Sequence, residues 1–129
     1  MRRVVITGMG IYSCIGTNIE EVKESLYNGK SGIVYEPSRK EFGYRSALTG
    51  TVPKPNLKKE LSRRERISFG SESEYAYMAT KQAFDQAGID QEFLDSKEIG
   101  ILFGNDSTAE SVMEAIDKIR VKKDTTLVG

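Results

Sequence analysis

The sequence contains no histidine, no tryptophan, a single cysteine and only three prolines in 129 residues. Each scarcity excludes chemistry. Without histidine there is no imidazole general base, no Ser-His or Cys-His nucleophile pair and no His-ligated metal. One cysteine, Cys14, rules out an intramolecular disulfide and any cysteine-rich zinc site. Neither sign of charge predominates, with 19 basic against 19 acidic residues. A dedicated nucleic-acid binder would carry a basic excess to neutralise phosphate. A disordered chain would combine low hydrophobicity with high net charge, whereas here 38% of residues are hydrophobic. Long apolar runs are also missing. The run opened by Val4-Val5-Ile6 stops at Gly8, too soon for a signal peptide, and nothing approaches the roughly 20 apolar residues of a membrane span. The expectation is a soluble, cytoplasmic chain without metal or cofactor.

What is present reads as an α/β pattern. Arg3 to Gly8 is a β-branched run without alternation, as expected of a strand covered on both faces. A glycine-punctuated turn follows, from Gly8 to Gly16. Asn18 and Glu21 form a capping-box signature ahead of Ile19, Val22 and Leu26, and Asn28-Gly29 supplies the stop. Gly32 to Tyr35 is a short extended piece, and Arg45 to Val52 a possible edge strand before Pro53 and Pro55. Lys58 to Arg66 is polar and suits a short helix. The clearest helix covers residues 72–87 behind Ser71, with Ala76, Ala79, Ala83 and Ala87 as a stripe that permits close approach. Ile99 to Phe103 is a second buried-strand pattern. Ser107 with Glu110 repeats the capping signature before a helix presenting Val112, Ile116 and Ile119. Strand, helix, edge pieces, helix, strand, helix implies parallel crossovers.

The turn after the first strand bears on function. Gly8-Met9-Gly10 supplies two glycines of a dinucleotide fingerprint, with Glu36 as a conceivable ribose acid. However, Ser13 stands at the third glycine position and the helix starts only near Asn18, away from where a pyrophosphate would sit. A structural turn is the competing reading. Cys14 reads as a small packing residue. Glu72 with Glu74, and Asp90 with Glu92, read as helix-end charges.

Taken together, several of these stretches resemble the β-ketoacyl-acyl-carrier-protein synthases. They are Arg3 to Gly10, Ser13-Cys14-Ile15-Gly16, the helix closing Leu26-Tyr27-Asn28-Gly29-Lys30-Ser31-Gly32-Ile33, Tyr44-Arg45-Ser46 with Gly50, Tyr75 to Ile89, and Ile99 to Gly104. The Tyr44-Arg45-Ser46 region is similar to the type I members. The resemblance implies a thiolase-like, layered αβαβα fold of which residues 1–129 are the N-terminal part, ending before the nucleophile. It also implies acyl-chain elongation by decarboxylative condensation with a malonyl-carrier protein, using one cysteine and two histidines. Cys14 does not match the family's Ala-Cys-small motif, so no catalytic residue is expected in this chain and the chain alone is expected to be inactive.

One functional surface carries over from the resemblance, the basic segment. Arg63, Arg64 and Arg66, within a basic segment that also holds Lys54, Lys58 and Lys59, match the region that receives acidic carrier proteins. Lys122 and Lys123, with Arg120, form a second basic group. The competing reading of the segment is a solvated connector. Asn105, Asp106, Ser107 and Thr108 fall where the family lines its acyl pocket near a homodimer interface, although a capping role explains Ser107 equally well. Besides a condensing-enzyme portion, two readings stay open: a non-catalytic partner subunit that binds acyl carrier protein, and a small nucleotide-binding α/β domain. The apolar runs and the alanine stripe are further expected to expose patches that favour association.

Overall fold

The computed structural model describes residues 3–106 and 109–126. In chain order the elements are α1 (Ile19–Tyr27), β1 (Ile33–Tyr35), α2 (Ser38–Glu41), β2 (Leu48–Gly50), a 3-10 turn (Leu57–Lys59), α3 (Arg63–Arg66), α4 (Ser71–Ala87), α5 (Gln91–Ser96) and α6 (Ala109–Lys122). The chain divides into two compact units, Met1–Pro53 with Met78–Lys97, and Lys54–Tyr77 with Glu98–Gly129.

In the first unit, α1 starts where its cap directs. The Asn18 side chain accepts from the Glu21 N–H at 2.9 Å. The reciprocal bond of the expected box lands one residue earlier, since the Glu21 carboxylate accepts from both the N–H (2.7 Å) and the hydroxyl (2.9 Å) of Thr17. Gly29, at φ +61°, follows the C-cap Asn28 in the left-handed region that glycine adopts without a Cβ penalty. Val22 is buried, and so is Ser25, whose hydroxyl donates to the Ile15 carbonyl at 2.6 Å. That bond ties α1 to the preceding turn. The turn is pinned internally by paired backbone bonds between Ser13 and Gly16. β1 and β2 pair antiparallel, with Ile33 opposite Gly50 and Tyr35 opposite Leu48, and Ala47 is buried beside them. The edge strand expected within Arg45 to Val52 is therefore present, shortened to three residues.

The alanine stripe has a clear use in this unit. The turn lies directly on the C-terminal half of α4. A Cβ on Gly8 would fall 2.0 Å from the Ala83 carbonyl oxygen, and one on Gly10 would fall 1.8 Å from that of Ala79. Small residues on both sides let backbone meet backbone. Helix α4 gives way to Gly88, at φ +68°.

In the second unit, Leu57 is buried and the polar stretch expected to hold one short helix forms two pieces, the 3-10 turn and α3. A full capping box starts α3. The Glu65 N–H donates to the Ser62 hydroxyl at 3.3 Å and the Ser62 N–H donates to the Glu65 carboxylate at 2.8 Å. Phe69 and Tyr77 meet edge-to-face at 6.2 Å. The Ser107–Glu110 cap cannot be compared with the structure because Ser107 lies outside the described residues.

The two apolar runs differ from expectation. Neither Arg3 to Gly8 nor Ile99 to Phe103 is hydrogen-bonded into a sheet, and the sheet present among the described residues is antiparallel instead of parallel. Val4 is 95% exposed and Leu102 98%. β-branched residues favour an extended backbone, but a ladder also needs a neighbouring strand, and side-chain composition cannot supply one.

Candidate functional site

The residues singled out from the sequence fall in unequal surroundings. Arg63, Arg64 and Arg66 sit on the single turn of α3. Arg66 is half-buried, and its Nε donates to the Leu61 carbonyl at 3.1 Å, so part of its guanidinium serves the local fold. Arg63 and Arg64 are exposed, and no ion pair to either is found among the described residues. Glu65, their neighbour, is committed to the cap: hydrogen bonds from Ser62 hold its carboxyl below the usual carboxylate range. Lys54 stands 3.6 Å from Glu74, a carboxylate largely shielded from solvent. Lys122 and Lys123 are exposed at the end of α6, where cations suit the negative pole of the helix. Arg120 is diverted toward Asp117 at 4.0 Å. Both basic groups belong to the second unit.

Asn105 and Asp106 are exposed and precede α6 in the same unit. Ser107 and Thr108 lie outside the described residues. Four pocket-vicinity positions are thus represented by two.

In the first unit, Cys14 is half-buried beside the hairpin. A Cβ on Gly32 would come within 2.6 Å of its Sγ, and one on Gly50 within 3.0 Å. The thiol fills the space those glycines leave. Beside it, Ser13, Glu21, Glu24, Ser25 and Lys30 line a polar cleft of about 270 Å³. A second, apolar groove of about 850 Å³ is formed by Met9 and Ile11 of the turn with Ile19, Val22, Leu26 and Tyr27. The Lys23 ammonium stands 6.0 Å from the Tyr27 ring centroid at its rim. Packing on α4 accounts for Gly8 and Gly10, and Asn18 together with the Glu21–Thr17 bonds serves the start of α1. No group of three or more His, Cys, Asp or Glu able to hold a metal occurs among the described residues. Within the same residues, no helix is long and apolar enough to cross a membrane.

Reading the sequence overlooked two side chains. Gln82 and Gln86 reach from α4 to the backbone of the glycine turn. Their i, i+4 spacing beside the alanine stripe is a visible signal, but nothing local says what they meet.

Residues 1–128 match the family model described as "Beta-ketoacyl synthase, N-terminal domain". The chain belongs to that family. Among curated β-ketoacyl synthase relatives, the 3-oxoacyl-[acyl-carrier-protein] synthase 1 of Haemophilus influenzae is 35% identical over 130 residues, covering 100% of this chain and 32% of that protein. The synthase 1 of Buchnera aphidicola from Schizaphis graminum is 38% identical over 124 residues, covering 93% and 30%. The crystal structure of a β-ketoacyl synthase from Burkholderia phymatum matches with a TM-score of 0.82 at 26% identity, over 100% of this chain and 32% of that one. The chain spans about a third of the length of these relatives. The fold is accordingly the thiolase-like α/β fold of the β-ketoacyl synthases, as the sequence motifs implied, and both sequence relatives carry the synthase 1 designation.

Proposed function

We propose that this chain is part of a condensing enzyme that elongates an acyl chain by decarboxylative Claisen condensation with a malonyl-carrier protein. In that reaction an acyl group passes from a carrier thioester to a cysteine thiol. The malonyl unit loses carbon dioxide, and the resulting carbanion attacks the acyl thioester and expels the thiolate. The observation that carries the reading is the family match across residues 1–128, with relatives named for that synthase. The share proposed for this chain is scaffold and carrier-protein docking within a homodimeric enzyme. It has no histidine to stabilise an enolate, and Cys14 packs against the hairpin glycines.

Docking is assigned to the exposed cations Arg63 and Arg64, with Lys122 and Lys123 as the second group and Arg66 as their structural anchor. Acidic carrier proteins would be steered by such exposed cations, with an attraction that fades as salt screens it. The test is a titration of labelled acyl carrier protein with this chain, followed by fluorescence anisotropy at two salt concentrations. Arg63→Glu with Arg64→Glu is expected to weaken binding roughly tenfold or more at low salt, since like-charge juxtaposition costs several kcal/mol. Unchanged affinity would remove the docking assignment. Incubation of the chain alone with acyl- and malonyl-carrier protein is expected to yield no β-ketoacyl product, and product formation would overturn the division of labour proposed here.

A further inference from the structure

Along α4, Gln82 and Gln86 stand one helical turn apart, and both side chains end on the backbone of the glycine turn. The Gln86 Oε1 accepts from the Met9 N–H at 2.6 Å. The Gln82 Oε1 accepts from the Ile11 N–H at 3.3 Å, while its Nε2 donates to the Thr17 carbonyl at 2.7 Å. We propose that these two glutamines are positioning residues: an amide clasp that sets the register of the Gly8–Thr17 turn on α4 and so holds the turn's wall of the apolar groove.

The geometry of the two backbones favours this register. Successive N–H groups on one side of an extended chain are two residues, roughly 6.6 Å, apart. Four residues of helix rise about 6 Å. Met9 and Ile11 therefore match Gln86 and Gln82 in antiparallel order, and the steric contacts follow the same rule. Gly8 faces Ala83, and Gly10 faces Ala79. The glycines let the backbones touch but offer the turn's N–H groups no partner; the amides do. Gln82 does more, because it ties both limbs. An amide can accept from one limb and donate to the other at once, whereas a carboxylate accepts only. Between the limbs it joins lies Cys14, the sole thiol.

Site-resolved amide hydrogen exchange on the ¹⁵N-labelled chain, with the rate of Cys14 modification by a thiol reagent, tests the clasp. Gln86→Leu is expected to speed exchange at Met9 about tenfold, equivalent to about 1.4 kcal/mol, and to leave Ile11 protected. Gln82→Leu is expected to do the reverse. Gln82→Glu keeps an acceptor for Ile11 but loses the donor to Thr17, so Ile11 stays protected while Cys14 modification accelerates about tenfold. Equal exchange at Met9 and Ile11 in each leucine variant, or Cys14 modification in Gln82→Glu that matches the parent, would overturn the proposal and leave the turn seated by its glycines alone. Should Gln82→Leu fail to fold, Gln86→Leu and Gln82→Glu still decide the matter.

Discussion

Gly10 is the position at which packing of the turn can be tested most sharply. In Gly10→Ala the new methyl would lie 1.8 Å from the Ala79 carbonyl oxygen, 2.8 Å from its carbonyl carbon and 3.0 Å from the Ala83 nitrogen. All three are helix backbone atoms, so no flexible side chain can swing aside. Restoring ordinary contact requires the turn to retreat by about 1.5 Å. That movement stretches the Met9 and Ile11 bonds to Gln86 and Gln82, each worth about 0.5–1.5 kcal/mol net. Overpacking adds about 1–3 kcal/mol. The expected total is about 2–6 kcal/mol. Gly29→Ala is the matched control in the same unit: nothing lies within 4 Å of its Cβ position, and its φ of +61° makes the penalty purely conformational, about 1–2 kcal/mol. Urea unfolding followed by far-UV circular dichroism and tyrosine fluorescence compares the two. A Gly10→Ala loss no larger than that of Gly29→Ala would refute the claim that steric seating on α4 defines the turn.

Three further outcomes are expected. Gly50→Ala meets the Cys14 Sγ at 3.0 Å, so Cys14→Ala should relieve its cost, whereas Gly32→Ala also meets the Cys14 carbonyl oxygen at 2.7 Å and should gain little from the same change; double-mutant cycles on unfolding midpoints read the difference. Bonds from the backbone and then the hydroxyl of Thr17 hold the Glu21 carboxyl below its ordinary value of 4.5, so its stabilising effect is complete above that pH and is lost as pH falls through the lowered folded value. The stability difference between the parent and Glu21→Gln should accordingly shrink on acidification, and a difference constant with pH would contradict the assigned bonds. Finally, Val4→Lys with Leu102→Lys should reduce concentration-dependent association in sedimentation velocity, because both side chains are almost fully exposed; undiminished association would place the sticky surface elsewhere.

Much of the local structure was legible because its causes are local. Asn18 and Asn28-Gly29 bracket α1, Gly88 follows the end of α4, and the run before Pro53 contains β2, whereas Ser71, expected to cap α4 from outside, is its first helical residue. The family was legible from ordered motifs, and the comparisons bear it out. The candidate docking residues were legible as a charge pattern, but not their condition. Nothing in the sequence distinguishes Arg66, bonded to Leu61, from the exposed Arg63 and Arg64. The Ser62–Glu65 box that starts α3 has the S-x-x-E spacing of a cap, masked by the polar stretch around it.

By itself, then, the sequence determined the start and stop of α1, the stop of α4, which short segments are extended, and which enzyme family the chain belongs to. Each of these is written in neighbouring residues through capping, backbone propensity and motif order. Only the tertiary structure decided what those elements touch. It put the alanine stripe under Gly8 and Gly10, gave the N–H groups of Met9 and Ile11 to glutamines more than 70 residues away, and left two strand-like runs outside any ladder. Such pairings depend on close approach between distant segments, and a hydrogen bond that closes a long loop leaves no mark in the residues beside it.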